Sequence, residues 1–369
     1  MAVVVLAILL ALALRSRKAL HSKGFSAASL VQAIRQANVP LLLLCVLLIY
    51  VCYAIRAFRW NRFSAHIGKG SFWGTYSATL MGFAAVFVLG RAGEPVRPLL
   101  IARKGKLPVS SMFGIYVLER LFDFGSAAVI LLLCLLVFPG KLVQSEADPD
   151  WVSTARHGGW ILLALVVGLV AFLVYYRLHG GGKLSDRLAR WHEGKGWRAT
   201  VAAVIDGFSN GLQAIRTMSD LGSAVVLSAL HWGLVALIYM WTVHAFGDFF
   251  SDMNYPAAML LLAVTLVGST LQLPGVGGGA QVATFYAFTQ IFGVDQAGAV
   301  VVALVLWLIS FAASAVGGVP LLIREGWSLG ELKQLARAER AAEAHGEHVT
   351  DTALRKHPEH EKKHGAETR

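Results

Sequence analysis

The sequence predicts an all-α, polytopic membrane protein with about six full spans, two re-entrant helical hairpins and an amphipathic interfacial helix. Of its 369 residues, 56% are hydrophobic and only 15% are charged, whereas soluble proteins carry about 25% charged residues. The apolar residues form long uninterrupted blocks, which are typical of membrane spans. Two of these blocks end in runs of glycine and proline that cannot continue a helix.

The net charge and the cysteine positions argue against several classes of function. A net charge of +11 is typical of membrane proteins that keep Lys and Arg in cytoplasmic loops, and it favours anionic lipid head groups. The basic residues are divided among loops, so we expect no nucleic-acid partner. Cys45, Cys52 and Cys134 lie in apolar blocks without a CxxC motif, so we expect packing roles and neither a disulfide nor a metal site.

The first third of the chain contains two predicted spans. Ala2–Leu14 lacks a basic region before it and therefore predicts a short span, not a signal peptide. Phe25–Asn38 carries an apolar stripe and predicts a helix on the membrane surface. Pro40–Phe58 is a clear span. Arginines and an aromatic residue at its end predict the membrane–water interface: Arg56, Arg59, Trp60 and Arg62.

The next blocks predict a hairpin and a long helix. Ser71–Leu89 is apolar and is followed by a break over Gly90–Pro98, which contains two glycines and two prolines. We therefore expect Phe72–Lys106 to enter and leave the bilayer from the cytoplasm. Val109–Phe138 would be about 45 Å long as a helix, so we expect it to tilt or protrude.

The second half repeats this organisation. Spans are predicted at Gly159–Tyr176, Leu221–Phe246 and Ala297–Ile323, with an interfacial helix over Thr200–Asp220. The basic loop Arg177–Arg198 indicates the cytoplasm. Pro256–Phe292 is interrupted by glycines and predicts a second hairpin, entering from the opposite side. These features divide the chain into a membrane domain over 1–325 and a charged, disordered cytoplasmic tail over 326–369.

Two groups of charged residues are candidate functional residues. Arg91, Glu94 and Arg97 lie in the first break, and a guanidinium group suits bidentate phosphate recognition. A solvated cytoplasmic loop is the alternative. The second group lies about 15–20 Å into the long helix, where charges need partners. It consists of Glu119, Arg120 and Asp123.

We expect the second group to face the protein interior and to pair internally or with Arg91 and Glu94. A purely structural ion-pair cluster is the alternative interpretation. His231 lies within a predicted span, where a hydrogen-bonded interior histidine is more common than a proton relay.

The second break is the third candidate. Its proline ends a helix, and its glycines free the backbone for positive φ, so exposed N–H groups there could hold an anionic head group. A flexible loop is the alternative. The candidate residues of this break are Gln272, Pro274, Gly275, Gly277, Gly278, Gly279 and Gln281.

Three segments in this order resemble the lysylphosphatidylglycerol synthase transmembrane-region family, also called flippase-like domain proteins. They are Gly90–Arg97 (GRAGEPVR), Val117–Asp123 (VLERLFD) and Leu273–Gly279 (LPGVGGG). The resemblance covers roughly residues 1–325 and implies a bundle that moves lipid-linked cargo between leaflets. Gln281 stands where the family commonly has an acid. We expect no aminoacyl-transferase domain, because the tail of 46 residues from Arg324 is too short for one.

The resemblance therefore implies a translocase of the inner membrane that moves an anionic lipid head group, with its C-terminal tail in the cytoplasm. The cargo would be an anionic phospholipid or a polyprenyl-linked molecule, and no cofactor is expected. Lipid or glycan biosynthesis enzymes are candidate partners. The alternatives are a membrane-embedded transferase acting on a lipid phosphate and a non-transporting scaffold of a biosynthetic complex; no catalytic motif favours the transferase.

Overall fold

The described part of the chain is helical, apart from one pair of two-residue strands. Four of its helices are long and apolar enough to cross a membrane, which confirms the predicted multi-span helical class. They are Val39–Ser64, Phe72–Leu89, Ser219–His244 and the composite Gly298–Arg324. The computed structural model describes residues 35, 37–137, scattered positions within 157–171, and 214–215, 217–247, 253–269, 272–273, 277–294, 296–326 and 330.

Several predictions lie outside the described residues. These are the first span, most of the predicted surface helix, the basic loop, most of the interfacial helix and the tail: Ala2–Leu14, Phe25–Asn38, Arg177–Arg198, Thr200–Asp220 and 326–369. The span Gly159–Tyr176 is described only at scattered helical positions. The total of six spans therefore stays a prediction.

Local signals in the sequence explain where the helices begin. The Asn38 side chain accepts a hydrogen bond from the Leu41 amide (3.1 Å), and the Ser71 hydroxyl accepts one from the Gly74 amide (2.9 Å). Both satisfy amides that have no partner in the first helical turn. The N-terminal helices are α1 (Val39–Ser64), α2 (Phe72–Leu89), α3 (Val96–Gly105) and α4 (Val109–Val137).

The second half uses the same devices. Thr217 and Asp220 form a reciprocal capping box, so α5 begins at Met218, three residues earlier than predicted. Asn254 caps the Ala257 amide (3.0 Å) at the start of α6. The elements are α5 (Met218–His244), α6 (Tyr255–Gly268), β1 (Gln272–Leu273), β2 (Gly277–Gly278), α7 (Gly279–Tyr286), α8 (Gln296–Trp307) and α9 (Ala313–Arg324).

The first predicted hairpin is formed by α2 and α3. The break between them is shorter than predicted, because a 3₁₀ turn over Gly90–Gly93 is followed by α3 from Val96. The limbs pack closely. A Cβ at Gly93 would overlap the Ala85 backbone. At the open end, Lys104 Nζ donates to Ser77 Oγ (2.9 Å).

The second predicted hairpin is formed by α6 and α7. Helix α6 ends at Gly268, whereas the sequence predicts that this limb continues to Leu273. The chain then reverses through the antiparallel pair β1–β2, with Gln272 opposite Gly278. The hydroxyls of Thr265 and Thr284 lie 2.8 Å apart and join the two limbs. A π-helical segment, Ala287–Ile291, extends α7.

The tips of the two hairpins meet. Strand β1 contacts the 3₁₀ turn Gly90–Gly93. The second hairpin begins beside the C-terminal end of α5, where His244 Nε2 lies 2.8 Å from the Met253 carbonyl oxygen. The first hairpin opens at the other end of the bundle. There His66 lies 3.0 Å from Asp220, beside the start of α5.

We call the end of the bundle at which the first hairpin opens the basic end, because exposed cations lie there. Lys104 pairs with Glu325 and thereby ties α3 to the end of α9. Helix α9 packs tightly along α2, since Gly318 lies against the Leu80 backbone and the Ala84 methyl group. The exposed cations of the basic end include Arg62, Lys69, Arg103, Lys106 and Arg324.

Candidate functional site

Charged side chains from α1, α3 and α4 meet inside the bundle. We call this group the arginine–carboxylate cluster. It lies about 12 Å from the end of α1 and about 15 Å from the start of α4, at 1.5 Å per residue. Its members are Arg56, Arg59, Arg97, Glu119, Arg120 and Asp123.

Glu119 is the centre of the cluster and has no exposed surface. Its carboxylate accepts hydrogen bonds from Arg56 Nη1 (2.8 Å), Arg59 Nη2 (3.0 Å) and Trp60 Nε1 (2.9 Å). Both terminal nitrogens of Arg97 also donate to it, Nη1 at 3.3 Å and Nη2 more closely. Such bidentate contacts are among the stronger ion pairs.

Asp123 extends the cluster one helical turn along α4. It lies at i,i+4 from Glu119 and therefore on the same face. Arg56 Nη1 donates to Asp123 Oδ2 (3.0 Å), and Arg59 Nη2 donates to Oδ1 (3.1 Å). Arg120 Nη2 lies 3.4 Å from Oδ2. Two arginines are thus shared between the two carboxylates.

Helix α5 completes the cluster on its far side. Arg56 Nε donates to His231 Nε2 (3.1 Å), and Arg59 Nη1 donates to Ser228 Oγ (2.7 Å). His231 is buried. Because Nε2 accepts, the neutral ring carries its proton on Nδ1, which has no hydrogen-bond partner among the described groups. His231 therefore positions Arg56.

Aromatic rings enclose Arg97. Its guanidinium carbon lies 5.3 Å from the centre of the Trp60 ring, 5.0 Å from that of Phe83 and 5.6 Å from that of Tyr116. These distances allow cation–π attraction, which is strongest where water is excluded. The same Phe83 ring lies 5.5 Å from the guanidinium of Arg56.

The cluster has an excess of positive charge. Four guanidinium groups face two carboxylates, so the six residues sum to +2. Three of the arginines are buried, whereas the Arg120 side chain is 33% exposed. Burying unpaired charge is costly, so the remaining positive charge favours an anion at the exposed side.

The three candidate residues of the first break lie in different environments. Arg91 is exposed, and Glu94 is half-buried. Glu94 accepts a hydrogen bond from the Tyr116 hydroxyl. Arg97 is buried and bonded to Glu119. Of the three, only Arg97 enters the cluster.

The predicted group on α4 does lie in the interior, but most of its partners differ from the expected ones. Glu119 and Asp123 pair with Arg56 and Arg59 and not with Arg91 or Glu94.

Sequence reasoning missed the contribution of α1. The sequence predicts that Arg56, Arg59 and Trp60 mark the membrane–water interface, and the structure shows in addition that all three are buried in the protein and hydrogen-bonded to Glu119. Their spacing of three and four residues, which places them on one helix face, could have revealed this. Arg62 lies off that face and is exposed.

In the described part of the second break, backbone groups are bonded within the protein. Strands β1 and β2 pair Gln272 with Gly278 and Leu273 with Gly277. The Gly278 amide, proposed as free for a head group, donates to the Gln281 side chain. Gln281 thus caps the start of α7, at Gly279. Pro274 and Gly275 lie outside the described residues.

A comparison with models of protein families identifies the family of this chain. Residues 1–318 match the family model described as Lysylphosphatidylglycerol synthase TM region. The chain belongs to this family. A search of curated proteins finds no match.

The lysylphosphatidylglycerol synthase TM region contains the complete arginine–carboxylate cluster. Every member of the cluster lies within the matched residues 1–318, and so do both hairpin tips. The match ends in α9 at Gly318, the residue that packs against α2. The cluster is therefore part of the family domain and not of the tail that follows it.

Proposed function

We propose that this protein is a translocase of the inner membrane that moves an anionic lipid, or lipid-linked cargo, between leaflets. The arginine–carboxylate cluster carries the proposal. A structural ion-pair network needs only as many cations as anions, whereas this cluster has two more arginines than carboxylates. A phosphate group of a lipid would balance the excess, because guanidinium groups suit phosphate geometry.

The meeting of the hairpin tips supports a path for the head group. Non-helical backbone at bilayer depth is tolerated where it is buried in protein or lines a wet cavity. In the proposed topology, the turn Gly90–Gly93 and strand β1 are such segments, and the proposal is supported by their contact with each other. We propose that the head group passes between these tips while the lipid tails remain in the bilayer. The described conformation is then a closed one.

The orientation follows from the charges. The basic end carries exposed Arg62, Lys69 and Lys106, which favours the cytoplasm. Helix α9 ends there, so the tail that follows would also be cytoplasmic. The two hairpins open at opposite ends of the bundle, which supports re-entry from opposite sides of the membrane. We therefore retain six spans and two re-entrant hairpins as the proposed topology.

Reconstitution tests the function directly. The purified protein would be placed in phosphatidylcholine vesicles that contain a trace of fluorescent phosphatidylglycerol, and dithionite would bleach the outer leaflet. We expect bleaching beyond the outer-leaflet half with the wild type and only that half with empty vesicles. Fluorescent phosphatidylcholine and a fluorescent polyprenyl phosphate provide the cargo comparison.

Two variants make this test specific. Arg120→Gln removes a charge from the cluster, and Arg62→Gln removes an exposed charge from the basic end. We expect Arg120→Gln to lose most translocation and Arg62→Gln to retain it. Identical bleaching with protein and with empty vesicles, for all three lipids, would refute the proposed function.

A further inference from the structure

The four arginines of the cluster differ in how much bonding capacity remains to them. Arg56 and Arg59 each bond both carboxylates and one side chain of α5. Arg97 bonds Glu119 through both terminal nitrogens inside its aromatic enclosure. These three are buried, so their guanidinium groups serve the protein itself.

Arg120 is bound more loosely. Its Nη2 lies 3.4 Å from Asp123 and 3.9 Å from Glu119, and its side chain is 33% exposed. Its Nε is buried and has no hydrogen-bond partner within the described structure. A guanidinium group with unused donors can bind a phosphate through two parallel hydrogen bonds. Arg120 is therefore the member of the cluster that can accept a ligand without breaking a short ion pair.

Tyr116 contacts both Arg120 and an acidic group at the tip of the first hairpin. The centre of its ring lies 5.3 Å from the Arg120 guanidinium carbon, one helical turn away on α4. Its hydroxyl donates to Glu94 Oε2 at the tip of the first hairpin. The other carboxylate oxygen of Glu94 has no bonded partner among the described side chains. Tyr116 thus lies between Arg120 and Glu94, which form no ion pair with each other.

We propose that Arg120, Tyr116 and Glu94 form a head-group subsite for a phosphodiester that carries its own hydrogen-bond donor, a hydroxyl or an ammonium group. Arg120 binds the phosphodiester, and the free oxygen of Glu94 accepts from the donor. Tyr116 holds Glu94 in place and covers one face of Arg120. The proposal rests on the proposed function and specifies the class of lipid that is moved. It assigns the other three arginines of the cluster a structural role.

A binding experiment tests this without any need for transport. The protein would be placed in phosphatidylcholine nanodiscs, and three lipids would compete with fluorescent phosphatidylglycerol: phosphatidylglycerol, phosphatidylethanolamine and phosphatidylmethanol. The last is a phosphodiester without a donor. We expect phosphatidylglycerol or phosphatidylethanolamine to compete about tenfold more strongly than phosphatidylmethanol, the factor that one hydrogen bond to a charged group supplies. The stronger of the two identifies the donor.

Variants separate the two halves of the subsite. Glu94→Leu should abolish the preference over phosphatidylmethanol, because the acceptor for the head-group donor is lost. Arg120→Lys keeps the positive charge but loses the paired N–H donors of the guanidinium group, so it should weaken the binding of all three lipids. Tyr116→Phe should reduce the preference, because Glu94 loses its hydrogen bond. Arg62→Gln is the matched control and should bind as the wild type does.

The outcomes distinguish this inference from the proposed function. Equal competition by all three lipids, or a preference that survives Glu94→Leu, would overturn the subsite even if the protein translocates lipids. Selective binding that Glu94→Leu abolishes would support it even if vesicles show no translocation. Size-exclusion profiles of the variants verify folding, and the milder Tyr116→Phe still tests the subsite if Glu94→Leu fails to fold.

Discussion

Gly82 and Arg97 lie against each other across the first hairpin. A Cβ at position 82 would overlap the Cβ of Arg97, and it would also lie 2.8 Å from the Arg97 Cγ. This close approach of α2 and α3 lets the Arg97 side chain reach Glu119 on α4. The glycine is therefore part of the geometry that forms the charged cluster.

Gly82→Ala should consequently destabilise the protein by about 1–3 kcal/mol, the usual cost of overpacking a tight interior. The melting temperature in detergent, followed by intrinsic tryptophan fluorescence, would measure the effect. Gly222→Ala is the control. A Cβ there meets nothing within 4 Å, and alanine favours a helix by up to about 1 kcal/mol. Equal melting temperatures for the two variants would contradict the close packing of Gly82.

Glu119→Gln should be among the most harmful single substitutions. It removes the carboxylate that three buried arginines share, and breaking a buried ion pair costs about 3–5 kcal/mol. Glu325→Gln provides the comparison, because Glu325 pairs with Lys104 at the surface, where such pairs contribute about 0–1 kcal/mol. Thermal unfolding of both variants would measure the difference, and a similar small loss for each would disprove the central role of Glu119.

The hydroxyl pair Thr265–Thr284 should couple the limbs of the second hairpin. We expect a double-mutant cycle of the Thr→Val variants to give about 0.6 kcal/mol, the average for hydrogen bonds between membrane helices. Thr289→Val is the control, since its hydroxyl bonds only carbonyls of its own helix and its neighbour Gln290 (3.5 Å). A coupling energy of zero would show that the hydroxyl contact does not join the limbs.

Gly278→Ala should open the tip of the second hairpin. Gly278 has φ 119° and ψ −106°, a conformation that L-residues rarely adopt, so the substitution should cost about 1–3 kcal/mol. Hydrogen exchange should quicken in peptides covering 272–286 and the contacting turn Gly90–Gly93. Gly293→Ala, at φ 65° in open space, should leave those peptides unchanged. Unchanged exchange in Gly278→Ala would show that the tip tolerates the strain.

The sequence predicted those features that depend on neighbouring residues. Blocks of apolar residues predicted the helices, and Gly90 and Gly277–Gly279 predicted chain reversals, because both signals act within a few residues. Glu119 and Asp123 were recognised as interior residues because charges that far into an apolar helix need partners. Their partners were not recognised. Arg56 lies 63 residues from Glu119 in the chain, and no local pattern encodes such a contact.

Some predicted helix boundaries differ from the structure for a related reason. Helix α6 ends at Gly268, although Leu271 and Leu273 follow before the proline of the second break. A Cβ at Gly268 would overlap Gly279 and the Ala283 methyl group, so α7 packs closely against the end of α6, a contact that the apolar pattern does not encode. The function of Gln281 as a cap could likewise not be predicted without the positive φ of Gly278.

The separation between Arg56 and Glu119 has a consequence for the biogenesis of the protein. Helix α1 precedes α4 in the chain, so its arginines are synthesised before the carboxylates that pair with them. Both arginines lie within eight residues of the end of α1, near enough for their long side chains to extend to the aqueous interface. The ion pairs of these arginines with Glu119 and Asp123 can form only once α4 is present, because α4 supplies both carboxylates.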